Sequence, residues 1–119
     1  MKFFVAVTNN EWFHFLSKIQ PDEINFWRPG RQPFSVLEVG QLFLFKLHYP
    51  LNFIVGGGFF IRYELLPLSL AWEAFGEKNG VPDIYAFRSI IQKLAKTTDI
   101  NPFIGCIILN KENLPVGLE

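Results

Sequence analysis

Cysteine is almost absent: Cys106 is the only one in 119 residues. That excludes an internal disulfide and any zinc site built on paired thiolates, and it fits a reducing compartment. An excess of charge is missing too. Eleven Lys and Arg cancel eleven Asp and Glu, so nothing marks a bulk polybasic nucleic-acid binder. Long apolar runs are lacking. The longest, residues 42–45 and 53–61, are far shorter than the about 20 residues of a spanning helix, and the second holds Gly56-Gly57-Gly58. Residues 1–7 are too brief for a signal peptide and run straight into patterned sequence. A cytoplasmic, bacterial-type domain with no membrane partner is expected.

The familiar motifs of catalysis are also missing. There is no Gly-x-Ser-x-Gly, no Walker loop, no His-Glu-x-x-His and no paired cysteine. His14 and His48 fall on different predicted elements without metal-ligand spacing, and read as a surface and a strand histidine. Gly56-Gly57-Gly58 precedes a strand-like segment rather than a helix, so it is not a dinucleotide fingerprint. Cys106 lies in an apolar run and reads as an inert core thiol. This chain alone is expected to be no enzyme, with no cofactor and no catalytic or metal residues.

What the sequence does hold is apolar and aromatic. Half the residues are hydrophobic and 17% are aromatic, which excludes disorder and demands a packed core. Residues 3–8 read as a strand that ends in polar Thr8-Asn9-Asn10. Trp12, Phe15, Leu16 and Ile19 share one helical face, with Asn10 as N-cap, Glu11 in the first turn and Pro21 as the stop. Ile24-Asn25-Phe26-Trp27 is a short strand, and residues 28–33 form a turn-rich loop. Strands are predicted over 41–48 and over 52–62. The three glycines in the second suggest a bulge, a bend or the close approach of a backbone or ligand. A short helix follows at 70–75, then a better one opening at Pro82-Asp83, with Ile84, Phe87, Ile90, Ile91 and Leu94 on one side. Residues 104–109 make a last strand. The order β-α-β-β-β-α-α-β with short turns predicts one α+β domain: a curved antiparallel sheet or open β-barrel with flanking helices.

Aromatic and polar residues interleave at the ends of these elements. Thr8, Asn9, Asn10 and Trp12 sit where the first strand gives way to its helix. Asn25, Phe26 and Trp27 precede Arg28-Pro29-Gly30-Arg31, while Lys46 and His48 end the next strand. If these ends converge, ring faces and amides form a pocket suited to a planar heterocycle. Gly56 and Gly57 would then give backbone access along one wall. Arg28, Arg31, Lys46, His48 and Arg62 are candidate phosphate contacts. The competing structural reading is that Trp12, Phe26 and Trp27 are core and the arginine loop is a solvated turn.

Several segments, taken in order, carry a resemblance: Phe4-Val5-Ala6-Val7-Thr8, Trp12-Phe13, Asn25-Phe26-Trp27-Arg28-Pro29, residues 40–48, residues 52–58 and residues 69–76. Together they resemble the N-terminal domain of bacterial restriction endonucleases that carry a C-terminal HNH nuclease domain. Such domains are thought to be PUA-like, akin to the SRA, EVE and ASCH groups. The resemblance implies a specificity domain that binds double-stranded DNA, reads a flipped modified base (a 5-substituted cytosine favoured) and recruits a nuclease. No HNH motif is present here. Residues 1–117 are expected to be this single domain, Leu118-Glu119 a cloning remnant, and the natural protein to continue into its nuclease. Two other readings are an RNA-binding module, where unpaired bases need no flipping, and a protein- or small-molecule-binding domain suggested by the neutral, apolar composition.

Overall fold

The computed structural model describes residues 2–110; Leu118-Glu119 lies outside the described residues. Five strands form one sheet: β1 (Phe3–Thr8), β2 (Glu23–Pro29), β3 (Leu42–Leu47), β4 (Ile54–Pro67) and β5 (Phe103–Asn110). Helix α1 (Asn10–Ile19) joins β1 to β2, and α2 (Leu68–Phe75) and α3 (Ile84–Ala95) separate β4 from β5. The element order is the predicted one, and the domain is α+β.

The spatial order is β1-β3-β4-β5-β2. Three of the four pairings are antiparallel, but β1 and β3 run parallel, Phe3 opposite Leu42 and Thr8 opposite Leu47. The expectation of a wholly antiparallel sheet is therefore corrected. It holds for the β3–β4 hairpin, whose short loop can only reverse the chain. It fails for β1, because α1 and β2 intervene and supply the long crossover that parallel pairing requires. The sheet is open, as expected, with β1 and β2 as its two edges.

The sheet nevertheless curls strongly. Phe26 on the β2 edge lies 4.9 Å, centroid to centroid, from Phe43 on β3. One core fills this concave side: Trp12 and Leu16 of α1, Ile24, Phe43, Phe45, Phe60, Ile107 and Leu109 of the strands, and Phe34 and Leu37 from the loop after β2. A second core lies on the other face, where α2 and α3 bring Leu68, Ala71, Phe75, Phe87 and Ile91 against Ile104, Cys106 and Ile108. Strand β5 alternates strictly between the two cores. That explains why its sequence reads as one unbroken apolar run.

The glycine triplet serves a packing need. Strand β4 runs through it without interruption to Pro67. A Cβ on Gly57 would overlap the carbonyl oxygen of Phe43, and one on Gly58 would come within 2.9 Å of Leu109 Cβ. The close approach suggested by the sequence is that of neighbouring strands. The register with β3 shifts beside Gly56, between Phe45 and Lys46, which adds local twist.

Candidate functional site

A cleft of about 520 Å³ is lined by residues of both sheet edges. Strand β1 gives Val7 and Thr8, and β2 gives Phe26, Trp27, Arg28 and Pro29. The start of α1 adds Asn9, Glu11, Trp12 and Phe15. Gly80-Val81-Pro82 and one side of α3 (Ala86, Ile90 and Leu94) complete the wall. Each of these edge strands is paired on one side alone.

Local sequence rules place each component. Asn9, rather than Asn10, caps α1: its Oδ1 accepts from Glu11 N at 2.8 Å and Trp12 N at 3.2 Å. With that oxygen engaged, the Asn9 amide nitrogen remains the group able to donate into the cleft. Asp83 caps α3 through Ala86 N at 2.8 Å. Gly80 has a φ of +84°, and a Cβ there would overlap the Trp12 indole, so this turn admits glycine alone against that ring.

The aromatic wall is fixed by one residue. Trp12 Nε1 and Trp27 Nε1 both donate to the carbonyl oxygen of Asn79, at 3.0 and 2.8 Å. Asn79 lies in the short 3-10 turn after α2 (Gly76–Asn79) and is fully buried. Its side chain donates to Ala71 O and Gly76 O at 3.1 and 2.8 Å, and accepts from Asn25 Nδ2 at 2.8 Å. The second core thus hangs on the same residue that orients the two indoles. Trp27 also meets the Phe87 ring edge-on at 5.4 Å, and Trp12 meets Phe26 and Phe45 edge-on at 5.4 and 5.2 Å.

Of the residues singled out from sequence, Thr8, Asn9, Trp12, Phe26, Trp27 and Arg28 come together at this cleft. The others do not line it. Asn25 is buried beneath, bonded to Asn79, with its Oδ1 unpartnered. Asn10 accepts from His48 N at 2.9 Å and ties the β3 end to α1. Gly56 and Gly57 lie inside β4, opposite Phe45 and Leu44.

The basic residues divide similarly. Arg28 lines the cleft and lies 5.7 Å from the Phe34 ring centroid. Arg31 stacks 4.0 Å over Phe103. Arg62 does not line the cleft and pairs with Glu64 at the surface. Lys46 pairs with Val7 and His48 N bonds Asn10 at the end of β3, and neither lines the cleft.

Sequence reading missed Asn79, Glu11, Phe15 and the α3 wall. Two signals were available. Asn79-Gly80 is a turn dipeptide, and the apolar face of α3 is wider than its buried ridge, with Leu94 59% exposed. Burial pushes the Cys106 thiol up from 9.0 to about 11, with the Asn25 side chain pulling the other way, so it is no nucleophile at neutral pH. Among the described residues no group of three or more His, Cys, Asp or Glu could hold a metal ion, and no helix is long and apolar enough to cross a membrane.

The cleft combines ring surface with polar groups at its margin. Trp27 and Phe15 are half-buried and offer ring surface. Thr8, Asn9, Glu11 and Arg28 supply hydroxyl, amide, carboxylate and guanidinium at its margin. No protein-family model matches the chain, and no curated protein matches it.

Proposed function

We propose that this chain is a PUA-like reader that takes a modified base, flipped out of double-stranded DNA, into the cleft between β1 and β2. The observation that carries the reading is the convergence there of Trp27, Phe26, Thr8, Asn9 and Arg28 from two sheet edges. The volume lies within the roughly 300–1,000 Å³ of small-molecule sites, which accommodates a substituted pyrimidine. Flipping costs a few kcal/mol of lost stacking, offset by stacking on the ring wall and by hydrogen bonds to the base edge. A cytosine edge presents one donor and two acceptors. The Glu11 carboxylate accepts and the Asn9 amide donates, so the polar margin matches that edge in kind, and the Arg28 guanidinium is left for a backbone phosphate.

In this reading the nuclease activity belongs to an HNH domain elsewhere in the natural protein, and this chain binds without cutting. The test is a pair of substitutions with different consequences. Trp27→Ala should abolish preference for the modified base while leaving weak, salt-sensitive duplex binding. Arg28→Ala should weaken all duplexes alike and lower the log–log salt slope by about one. A conservative Trp27→Phe control separates the loss of ring area from the loss of the Asn79 bond. Equal losses on plain and modified DNA for both alanine variants would count against the reading.

A further inference from the structure

The walls of the cleft differ in chemistry. Its hydroxyl, amide, carboxylate and guanidinium groups all come from the β1–α1 junction and from β2: Thr8, Asn9, Glu11 and Arg28. The two indoles add ring surface only, since Asn79 O already takes both N–H groups. The wall from α3 and the turn before it carries no polar side chain in the cleft, being Gly80, Val81, Pro82, Ala86, Ile90 and Leu94. Ala86, Ile90 and Leu94 recur every four residues along α3, so they share one face and form a strip about 12 Å long. The fold does not close this strip off. Leu94 is 59% exposed, and Val7, which also lines the cleft, is 56% exposed.

A base read at the polar margin leaves this strip uncovered. Cavities of this volume hold drug-sized ligands, and a nucleobase is much smaller. Its hydrogen-bonding edge has to meet Asn9 and Glu11, because α3 offers that edge no partner. Water against an apolar wall finds few partners and is readily displaced. What suits the strip is an apolar group that the base carries away from its pairing edge. On a pyrimidine that position is C5, across the ring from the C2 carbonyl. We infer that the α3 wall is a subsite for an extended apolar arm on C5 of the flipped base, several carbons longer than a methyl group, and that Ile90 and Leu94 set the preference for its length. Burying such an arm against the strip is worth roughly three- to fourfold in affinity per carbon removed from water. This inference rests on the base-reading function proposed above, and extends it from the presence of a substituent to its size and polarity.

The experiment titrates the intact chain and Leu94→Gln against labelled duplexes of one sequence. The target base is cytosine or its 5-methyl, 5-hydroxymethyl, 5-propynyl or 5-octadiynyl derivative. Gln is a good helix former and Leu94 is largely exposed, so an unchanged thermal melt is required first, and Leu94→Lys serves if the Gln variant melts early. The cost of flipping each base is the same for both proteins, so the ratio between them isolates the arm. Wild type should bind the octadiynyl duplex at least about tenfold more tightly than the methyl duplex, with propynyl between them, and the variant should hold that preference to within about twofold of unity. Hydroxymethyl should bind no more tightly than methyl, because its hydroxyl meets an apolar wall.

If wild type prefers 5-methylcytosine or 5-hydroxymethylcytosine to cytosine but binds the longer arms no better, the subsite is wrong and the reader stands. If affinity climbs with arm length equally in wild type and variant, the arm lies elsewhere and the assignment to α3 is overturned. If wild type treats all five duplexes alike, or binds none, the reader itself is wrong and the subsite falls with it.

Discussion

Asn79 makes five hydrogen bonds from one position, and two of them are indole donors sharing a single carbonyl oxygen. Either indole alone keeps that oxygen satisfied, so the two are redundant in one respect and coupled in another. Trp12→Phe and Trp27→Phe should each cost little through the lost bond. Together they strand a buried acceptor, and the double variant should exceed the sum of the singles by about 1–2 kcal/mol in urea unfolding. Strict additivity would show that the shared carbonyl is not the link. Cys106 offers a second test. Its thiol titrates at about 11 folded against 9.0 ordinarily, so the unfolded chain gives up its proton first as pH rises. The stabilisation is complete below 9 and is lost between 9 and about 11. Cys106→Ala should therefore show a shallower decline in stability over that interval, and an identical decline would contradict it. The buried thiol was legible in the apolar run around Cys106, but the role of Asn79 was not. Asn79 looks like a turn residue until Trp12 and Trp27, 67 and 52 positions away, are brought to it.

At the scale of elements, period and punctuation carried most of the information. The amphipathic faces of α1 and α3, and the buried β5, are plain in the chain because alternation and helical spacing translate directly into burial. Pairing is less legible, since it depends on partners distant in sequence. Nothing local to Phe4-Val5-Ala6-Val7 reveals that its neighbour is β3 in parallel. The glycine triplet was read in general terms as a close approach, but its partner, the backbone of β3, is visible only in the register. That contact makes a definite prediction. Gly57→Ala should destabilise the domain by about 1–3 kcal/mol, because the added methyl meets a carbonyl oxygen of a central strand that has no room to retreat. A thermal melt unchanged from wild type would mean that β3 and β4 separate more readily than this packing allows.

For the whole molecule, the open sheet and the cleft are two aspects of one arrangement. A closed barrel would pair β1 with β2 and leave no gap. Here the curl brings their ends near each other, while α1, α3 and the Gly80 turn fill the sides. Element ends chosen from sequence as a converging set supplied six of the cleft's residues, because chain ends at one rim of a curved sheet tend to meet. The remaining choices were absorbed by structural duties: Asn25 under Asn79, Asn10 on His48, Arg62 on Glu64. Near-zero net charge is compatible with the proposal, provided that base contacts outweigh phosphate contacts. The affinity for plain DNA should accordingly be weak and the discrimination large. The most direct measurement is fluorescence anisotropy of the intact chain against four labelled duplexes of one sequence, bearing cytosine, 5-methylcytosine, 5-hydroxymethylcytosine or N6-methyladenine. The account predicts markedly tighter binding to one of the two 5-substituted cytosines, persisting when salt is raised. Equal binding to all four, or none to any, would contradict it.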